Sequence, residues 1–513
     1  MYCVLKGGDS VANKYVLAFD LGTSSIKVAI VDQDATIVAS GKRPIHPKYP
    51  KKGWAESDPE AWWAEGCIAS KELIAQAGID PADIVGVGFD APSAGFIPVT
   101  KEKGALYPSL IWLDFRAEEI LDECNEVLAE ALGMPGLEMW TGKDPVPKMC
   151  WVKRFMPDIW EEMDTFLADV GYLVYKATGE LTMPVQEAFT YGYDWNAGEW
   201  PPGLLAVYGF EPEKMPVVTQ AVDIAGYVTE KAAEEMGVCP GLPVTTGFSD
   251  CSAAEIGGGC VKPGDAALYV GTSMLFTTTT DQCPENSNAS YTYPGSNPAY
   301  NMLLSTNDMS GGCIDWVVER LFEPEKYGYS LDDCYKEVDK MLDETPAGAD
   351  DLFFSTSFQG ERQPILDNYF RAGFWNLTTE HSRSHMVRAV YEGIAYQIRW
   401  SVETMEKTYG YKYDKLLMTG GGGKSDRLAQ IIADVLGIPI EVAEDPGFAV
   451  TKGTAFLAFI AAGTMTFDDI PDKVKVAKRF LPREENKAVY DRGMYFYKKY
   501  YETNKGFFKE LNK

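Results

Sequence analysis

The chain has 513 residues, 46% hydrophobic and 24% charged, the balance of an ordinary globular protein of two to four domains. Disorder, collagen and coiled coil are excluded for the chain as a whole. Lys plus Arg number 47 against 75 Asp plus Glu, a formal net charge of −28, which argues against nucleic acid or an anionic membrane as partner. A phosphorylated ligand then needs a local site of backbone N–H groups, a Lys and a metal. Cysteines number 10, with no CxxC pair, and the three histidines are His46, His381 and His385. Neither a zinc cluster nor a disulfide framework fits, and buried thiols in a reducing cytoplasm are expected. Residues 1–14 read as a short extension without the apolar core of a secretory signal. No run reaches the ~18 apolar residues of a membrane span, so a cytoplasmic location is expected.

In chain order, residues 15–19 read as a strand ending in Asp20. The small-residue turn Gly22-Thr23-Ser24-Ser25 follows, then strands over 26–31 and 36–40. Strands this closely spaced imply an antiparallel start. Helices are expected over 59–77, 117–132 and 148–155, with an apolar strand over 84–89. Past the Pro/Gly loop at 239–243 come Gly247-Phe248-Ser249-Asp250 and a strand over 266–270 ending in Gly271-Thr272-Ser273, with a return strand over 274–278. This repeats the first strand–Gly–Thr–Ser pattern at an equivalent place in a second half of about 240 residues, which suggests an internal duplication with a boundary near 255. A strand over 415–419 and helices over 382–408, 426–436 and 451–462 follow. The charged, aromatic tail after Phe480 reads as a further helix.

Three strings invite a nucleotide reading. Gly86-Val87-Gly88-Phe89-Asp90-Ala91 fits GxGxxA, but its glycines lie inside a strand and no helix opens after them, so a dinucleotide fingerprint is rejected. Gly423-Lys424-Ser425 resembles the end of a P-loop, but Met418 stands where that motif needs its first Gly. Gly420 to Gly423 still form a side-chain-free turn against which a base or ribose can lie. Asp20-Leu21-Gly22-Thr23-Ser24-Ser25-Ile26-Lys27 combines an acid at a strand end, suited to hydrated Mg²⁺, with N–H groups, hydroxyls and Lys27 for a phosphate. Asp250 has two open readings, the N-cap of a following helix or the base that deprotonates a hydroxyl attacking a γ-phosphate.

Together these strings resemble the FGGY carbohydrate kinases over residues 15–463. The resemblance rests on FDLGTSSIK (19–27), IWLDFRAEE (111–119), PKMCW (147–151), GFSD (247–250), YVGTS (269–273), GGCIDW (311–316), GERQP (360–364), HMVRAVYEG (385–393) and GGGGKS (420–425), in that order. It implies an α/β architecture of two ribonuclease-H-like domains, the actin-like ATPase fold, with an interdomain cleft. Residues 15–255 would form a sugar-binding N-terminal domain with the first phosphate hairpin, and 256–513 a nucleotide-binding C-terminal domain.

It further implies that Asp20 lies near Mg²⁺ and that Ser24 and Lys27 touch the nucleotide. Gly271 and Thr272 form the second hairpin. Gly311 and Asp315 contact ATP, and Gly421, Gly422 and Ser425 line the adenine and ribose. Asp250 is the general base. Trp112, Asp114 and Arg116 fall near the sugar, although an Asp114–Arg116 ion pair is open to a purely structural reading. Glu361, Arg362, Tyr391 and Glu392 read as structural.

Glycerol kinases carry an Arg-Glu pair where this chain has Ala91-Pro92, and typical xylulokinases carry Gln-Met-His-Gly where it has Pro92-Ser93-Ala94-Gly95. The Gly88-Phe89-Asp90-Ala91 run looks instead like ribulokinases, with Asp90 accepting from the sugar or capping its own loop. Asn376 and Arg154 depart from the two family signatures. The expectation is ATP-dependent phosphorylation of a pentulose, ribulose and xylulose weighing equally. Another polyol or ketose is the alternative, as is a catalytically idle sugar sensor; a homodimer is a family-level expectation.

Overall fold

The computed structural model describes residues 14–137 and 139–512. The extension expected over 1–14 therefore lies outside the described residues except for Lys14. The chain forms two compact units. The first holds the chain up to Gly257 with Pro294–Ala299 and Val450–Lys473; the second holds Gly258–Tyr293, Tyr300–Ala449 and the chain from Val474 on.

The first unit is built on a seven-stranded mixed sheet. Tyr15–Leu21 pairs antiparallel with Ser25–Asp32, which pairs antiparallel with Ile37–Pro44. On its other side Tyr15–Leu21 pairs parallel with Ile84–Ala91, and Pro243–Thr245 and Ile224–Tyr227 extend the sheet outward. The helix Pro59–Ala77 covers this sheet with Trp62, Trp63, Leu73 and Ile74. Its ends are written in the sequence. The Asp58 carboxylate accepts from the Glu60 N–H, Pro59 opens the first turn, and Gly78 closes it at φ 63°.

The glycines at 86 and 88 have a packing cause. A Cβ on Gly88 would lie 2.8 Å from the Thr454 carbonyl oxygen and one on Gly86 3.1 Å from that of Ala458. The helix Ala449–Ala461 thus lies directly on the strand Ile84–Ala91, and only glycine leaves its backbone room.

The second unit repeats the plan. Ala266–Val270, Met274–Thr280 and Asn301–Asn307 form an antiparallel meander. Leu416–Thr419 pairs parallel with the first of them, and Ile440–Ala443 pairs parallel beyond it. In both units the first strand of an antiparallel set is flanked on its other side by two successive parallel strands, which is the equivalence that the repeated Gly-Thr-Ser pattern suggested. The helices Arg383–Tyr409 and Lys487–Asn512 join in this unit's core through Tyr396, Tyr490 and Tyr497.

Most expected elements are present with shifted ends. The helix expected over 117–132 begins as a 3-10 turn, Arg116–Ile120, and becomes α-helical only over Leu121–Leu132. The one expected over 148–155 starts at Pro145, because proline suits a first turn. The strand expected over 36–40 runs Ile37–Pro44.

Candidate functional site

The first hairpin sets two carboxylates beside one ammonium. Strand register places Asp20 opposite Lys27 on one side and Asp90 on the other. The Lys27 ammonium donates to Asp20 Oδ2 at 2.9 Å, and the Thr451 hydroxyl donates to the same oxygen at 3.1 Å. Among the described residues no hydrogen bond reaches Asp20 Oδ1. The turn closes through Gly22 N–H to the Ser25 carbonyl at 2.8 Å, leaving Ser24 exposed.

Asp90 and Ala91, expected at the sugar, are both fully buried. Asp90 Oδ2 accepts from the Thr454 hydroxyl and Oδ1 has no partner. Burial, then the charge of Asp20, pushes its carboxyl well above the usual range.

Asp250 follows a sharp turn. Gly247 sits at φ 82°, and a Cβ there would lie 2.8 Å from the Phe89 carbonyl oxygen. Phe248 and Ser249 then pair with Asp90 and Ala91, and Asp250 opens the helix Asp250–Gly257. Ser249 is the residue that caps it, its Oγ accepting from the Ser252 N–H at 3.3 Å. The cap reading of Asp250 is thereby set aside, and its partly exposed carboxyl is left for other work. Burial raises that carboxyl to about 6, against hydrogen bonds from Cys251; Asp20 raises it further and Lys27 opposes.

Trp112 lines a concavity with Thr23, Ser57, Pro92, Ile111 and Asp169, and its indole N–H donates to Thr23 Oγ1 at 2.9 Å. Asp114 does not line it. Its side chain is fully buried, both oxygens accept from the Arg116 guanidinium at 2.8 to 3.0 Å, and Oδ2 also accepts from the Ala55 N–H at 2.6 Å. This corrects the expected sugar contact: Asp114 is a brace, because no lone pair remains facing a ligand.

Three further ionisable groups lie here that sequence reasoning did not single out. The Lys148 ammonium, inside PKMCW, donates to the carbonyls of Ala94 at 2.8 Å and Ile111 at 3.0 Å, and burial lowers its pKa to about 8. Glu187 accepts from the Ser93 hydroxyl at 2.7 Å and the Ala94 N–H at 3.3 Å; burial raises it to about 8. Asp169 accepts from the Ser109 hydroxyl at 2.5 Å, and burial raises it to about 7. No local pattern marks them, since each is matched to partners tens of residues away.

In the second unit, Gly271-Thr272-Ser273 forms the equivalent hairpin, closed by Gly271 N–H to the Ser273 carbonyl at 2.9 Å. The Ser310, Gly311 and Gly312 N–H groups donate to the Thr272 and Gly271 carbonyls at 2.7 to 3.0 Å, fastening the hairpin to the helix Gly311–Val317. Asp315 on that helix is exposed at the surface and accepts from the Tyr335 hydroxyl at 3.2 Å; partial desolvation raises its carboxyl, against that hydrogen bond. The four-glycine turn runs from Gly420, at φ 82°, into the 3-10 turn Gly421–Lys424. Gly421 is exposed, while the Ser425 hydroxyl caps the helix Asp426–Leu436 by accepting from the Leu428 N–H at 3.2 Å.

Glu361 and Glu392 are buried and backbone-tied, as expected of structural residues, and Tyr391 lies in the core of the helix Arg383–Tyr409. Arg362 pairs with Asp308 at 2.8 Å. Asn376, where the family usually has Gly, sits at φ 64°, the left-handed region that asparagine tolerates best after glycine. Arg154 makes an exposed ion pair with Glu123.

Comparison with known proteins gives the family and the fold. The N-terminal domain of the FGGY family of carbohydrate kinases matches residues 15–257 and its C-terminal domain residues 266–462. A curated relative, the xylulose kinase of Lactococcus lactis subsp. lactis (strain IL1403), is 24% identical over 506 residues, 95% of this chain and 97% of its own. Among solved structures, a gluconate kinase from Lactobacillus acidophilus superposes with a TM-score of 0.85 at 23% identity, covering 97% of this chain and 100% of that one. A xylulose kinase from Rhodospirillum rubrum does so at 0.83 and 25% identity, with the same coverage. The fold is the actin-like ATPase fold that the motifs implied. Among the described residues no helix is long and apolar enough to cross a membrane. The chain belongs to the FGGY family of carbohydrate kinases and is a sugar kinase.

Proposed function

We propose that the protein transfers the γ-phosphoryl group of ATP to a terminal hydroxyl of a pentulose, ribulose or xylulose, with Asp250 as the general base. The observation that carries this reading is the Asp250 carboxyl, held at the end of the sheet strand beside Ala91, not used as a helix cap, and poised near pH 6. The base accepts the hydroxyl proton as the sugar oxygen attacks phosphorus, and ADP leaves. The xylulose kinases among the relatives support a pentulose. The family alone supports a cytoplasmic homodimer as the working form.

The second unit supplies the nucleotide contacts: Gly271 and Thr272 for phosphates, Gly311 and Asp315 beside them, and Gly421, Gly422 and Ser425 for adenine and ribose. Ser24 and Lys27 give the first unit's phosphate contacts. Asp20 fits a Mg²⁺ site. It offers one oxygen without a hydrogen bond among the described residues, and no group of three or more His, Cys, Asp or Glu there forms a protein cage. Mg²⁺ is commonly held by one carboxylate with substrate phosphates and water; bound there, it would neutralise phosphate charge.

A panel of D- and L-ribulose, D- and L-xylulose, erythritol, glycerol and hexuloses, read by ADP release, tests the acceptor. A pentulose is expected to give the highest kcat/KM, and a hexulose or glycerol leading the panel would refute the choice. With that pentulose, kcat/KM is expected to rise tenfold per pH unit from the acid side and level off above about pH 6. The sign follows from the raised pKa: below it Asp250 holds its proton and cannot accept another. A profile flat down to pH 4.5 would remove Asp250 as the base.

For the nucleotide, Gly311→Ala would put a Cβ 2.3 Å from the Gly271 carbonyl oxygen. Backbone must then move, at about 1–3 kcal/mol. On the order of tenfold weaker ATP binding by calorimetry is expected, with sugar binding unchanged; unaltered ATP affinity would contradict the hairpin's role.

A further inference from the structure

We infer that Asp169 is a specificity-determining ligand of the sugar, taking one of its hydroxyls in the concavity that it shares with Thr23, Ser57, Pro92 and Trp112. The inference rests on the sugar-kinase reading above and deepens it by naming a residue and the acceptor chemistry that it selects.

Asp169 opens the helix Asp169–Thr178 and is 2% exposed, yet it lines that concavity. One oxygen, Oδ1, accepts from the Ser109 hydroxyl at 2.5 Å. Among the described residues no hydrogen bond reaches Oδ2. Asp169 lines the concavity, so that oxygen is the one left for a ligand there. A hydroxyl both donates and accepts, so it satisfies Oδ2 whether Asp169 is ionised or not.

The position is also pre-organised. A Cβ on Gly95 would fall 2.1 Å from Asp169 Oδ1, so only glycine leaves the carboxyl its space. The loop carrying Gly95 is fixed by three side chains that make no other evident use of their burial. Glu187 accepts from Ser93 and Ala94, Lys148 donates to the Ala94 carbonyl, and the Tyr191 hydroxyl donates to the Gly95 carbonyl. Trp112, pinned by its bond to Thr23, presents an aromatic surface suited to the C–H groups of a sugar.

The same constellation selects charge. Glu187 feels both Asp169 and Asp250, so the three acids share one electrostatic neighbourhood. The nearest buried cation, Lys148, has its ammonium committed to backbone carbonyls. A neutral polyhydroxy ketose fits such a site through its hydroxyls, whereas the carboxylate of a sugar acid would find the Lys148 ammonium already committed.

The test compares wild type, Asp169→Ala and the isosteric Asp169→Asn on the best pentulose and on its 1-, 3- and 4-deoxy analogues, with KM for ATP and thermal melting as controls. Asp169→Ala is expected to lower kcat/KM for the pentulose by roughly 10- to 100-fold, mainly through KM, with KM for ATP unchanged. One deoxy analogue is expected to be poor for wild type and to lose no more than about threefold further in the variant, because the contact is already missing. If Asp169→Ala does not fold, Asp169→Asn carries the same comparison. Losses that add fully for every analogue, or that leave KM for the sugar unmoved, would overturn the inference and make Asp169 structural. A wild type that phosphorylates no pentulose would instead overturn the acceptor reading on which the inference rests.

Discussion

Asp250→Asn is expected to lose about 10²–10⁴-fold in kcat, the range for a lost general base, while ATP and sugar binding stay within about threefold of wild type. The substitution keeps the shape and removes only the proton-accepting oxygen. Folding should be unharmed, because the helix it opens is capped by Ser249. Stability should even rise slightly above pH 6: burial raises this carboxyl in the folded state, so its ionisation opposes folding there. Stopped assays that read ADP and sugar phosphate together, with calorimetry for binding, separate the outcomes. A variant retaining near-full turnover would mean that the proton goes elsewhere.

Arg116→Met is expected to destabilise the first unit by about 3–5 kcal/mol, the usual effect of breaking a buried ion pair from one side. The Arg116 side chain is fully buried, forked onto Asp114, bonded to Glu56 at 2.8 Å and stacked 3.8 Å from the Trp54 ring centre. Methionine would fill part of the volume but strand two carboxylates. Lysine would restore a charge but not the fork, so Arg116→Lys should recover only part of the loss. Thermal and denaturant melts read the stability. Activity of the folded fraction separates the two roles once open for Asp114. As a brace, it leaves KM for the sugar within a few-fold; a rise of tenfold or more, with stability little changed, would return it to the sugar site.

Local patterns carried much of the fold. The helix Pro59–Ala77 is bounded by Asp58-Pro59 and Gly78, and Asp426–Leu436 by Ser425 and Gly437, so their ends could be read directly. The strand Ala266–Val270 was equally plain as an apolar run closed by Gly-Thr-Ser. What escaped were interactions between distant segments. The segment 451–462 reads as one more apolar helix, and nothing local says that Thr451 will bond Asp20 or Thr454 will bond Asp90 across the first unit. The strand Val476–Phe480 has mostly exposed residues and no alternation; it is a strand because it completes the edge beside Ile440–Ala443.

The candidate site divides in the same way. Asp20, Lys27, Asp250 and the two Gly-Thr-Ser hairpins sit in short motifs at strand ends and were visible in sequence. Asp90 was visible too, but its burial was not, since a carboxylate in an apolar strand looks like a ligand until the helix above it is placed. Lys148, Asp169 and Glu187 were invisible as a group. Each sits in an ordinary helical segment, and only the fold brings all three to the loop after Ile84–Ala91.

The most direct test of the account is ADP release from Mg-ATP by wild type and Asp250→Asn, with and without the best pentulose. The account predicts strong stimulation by the sugar in wild type and its loss in the variant, with ATP still bound by both. Stimulation of equal size in both proteins, or none by any pentulose in wild type, would contradict it.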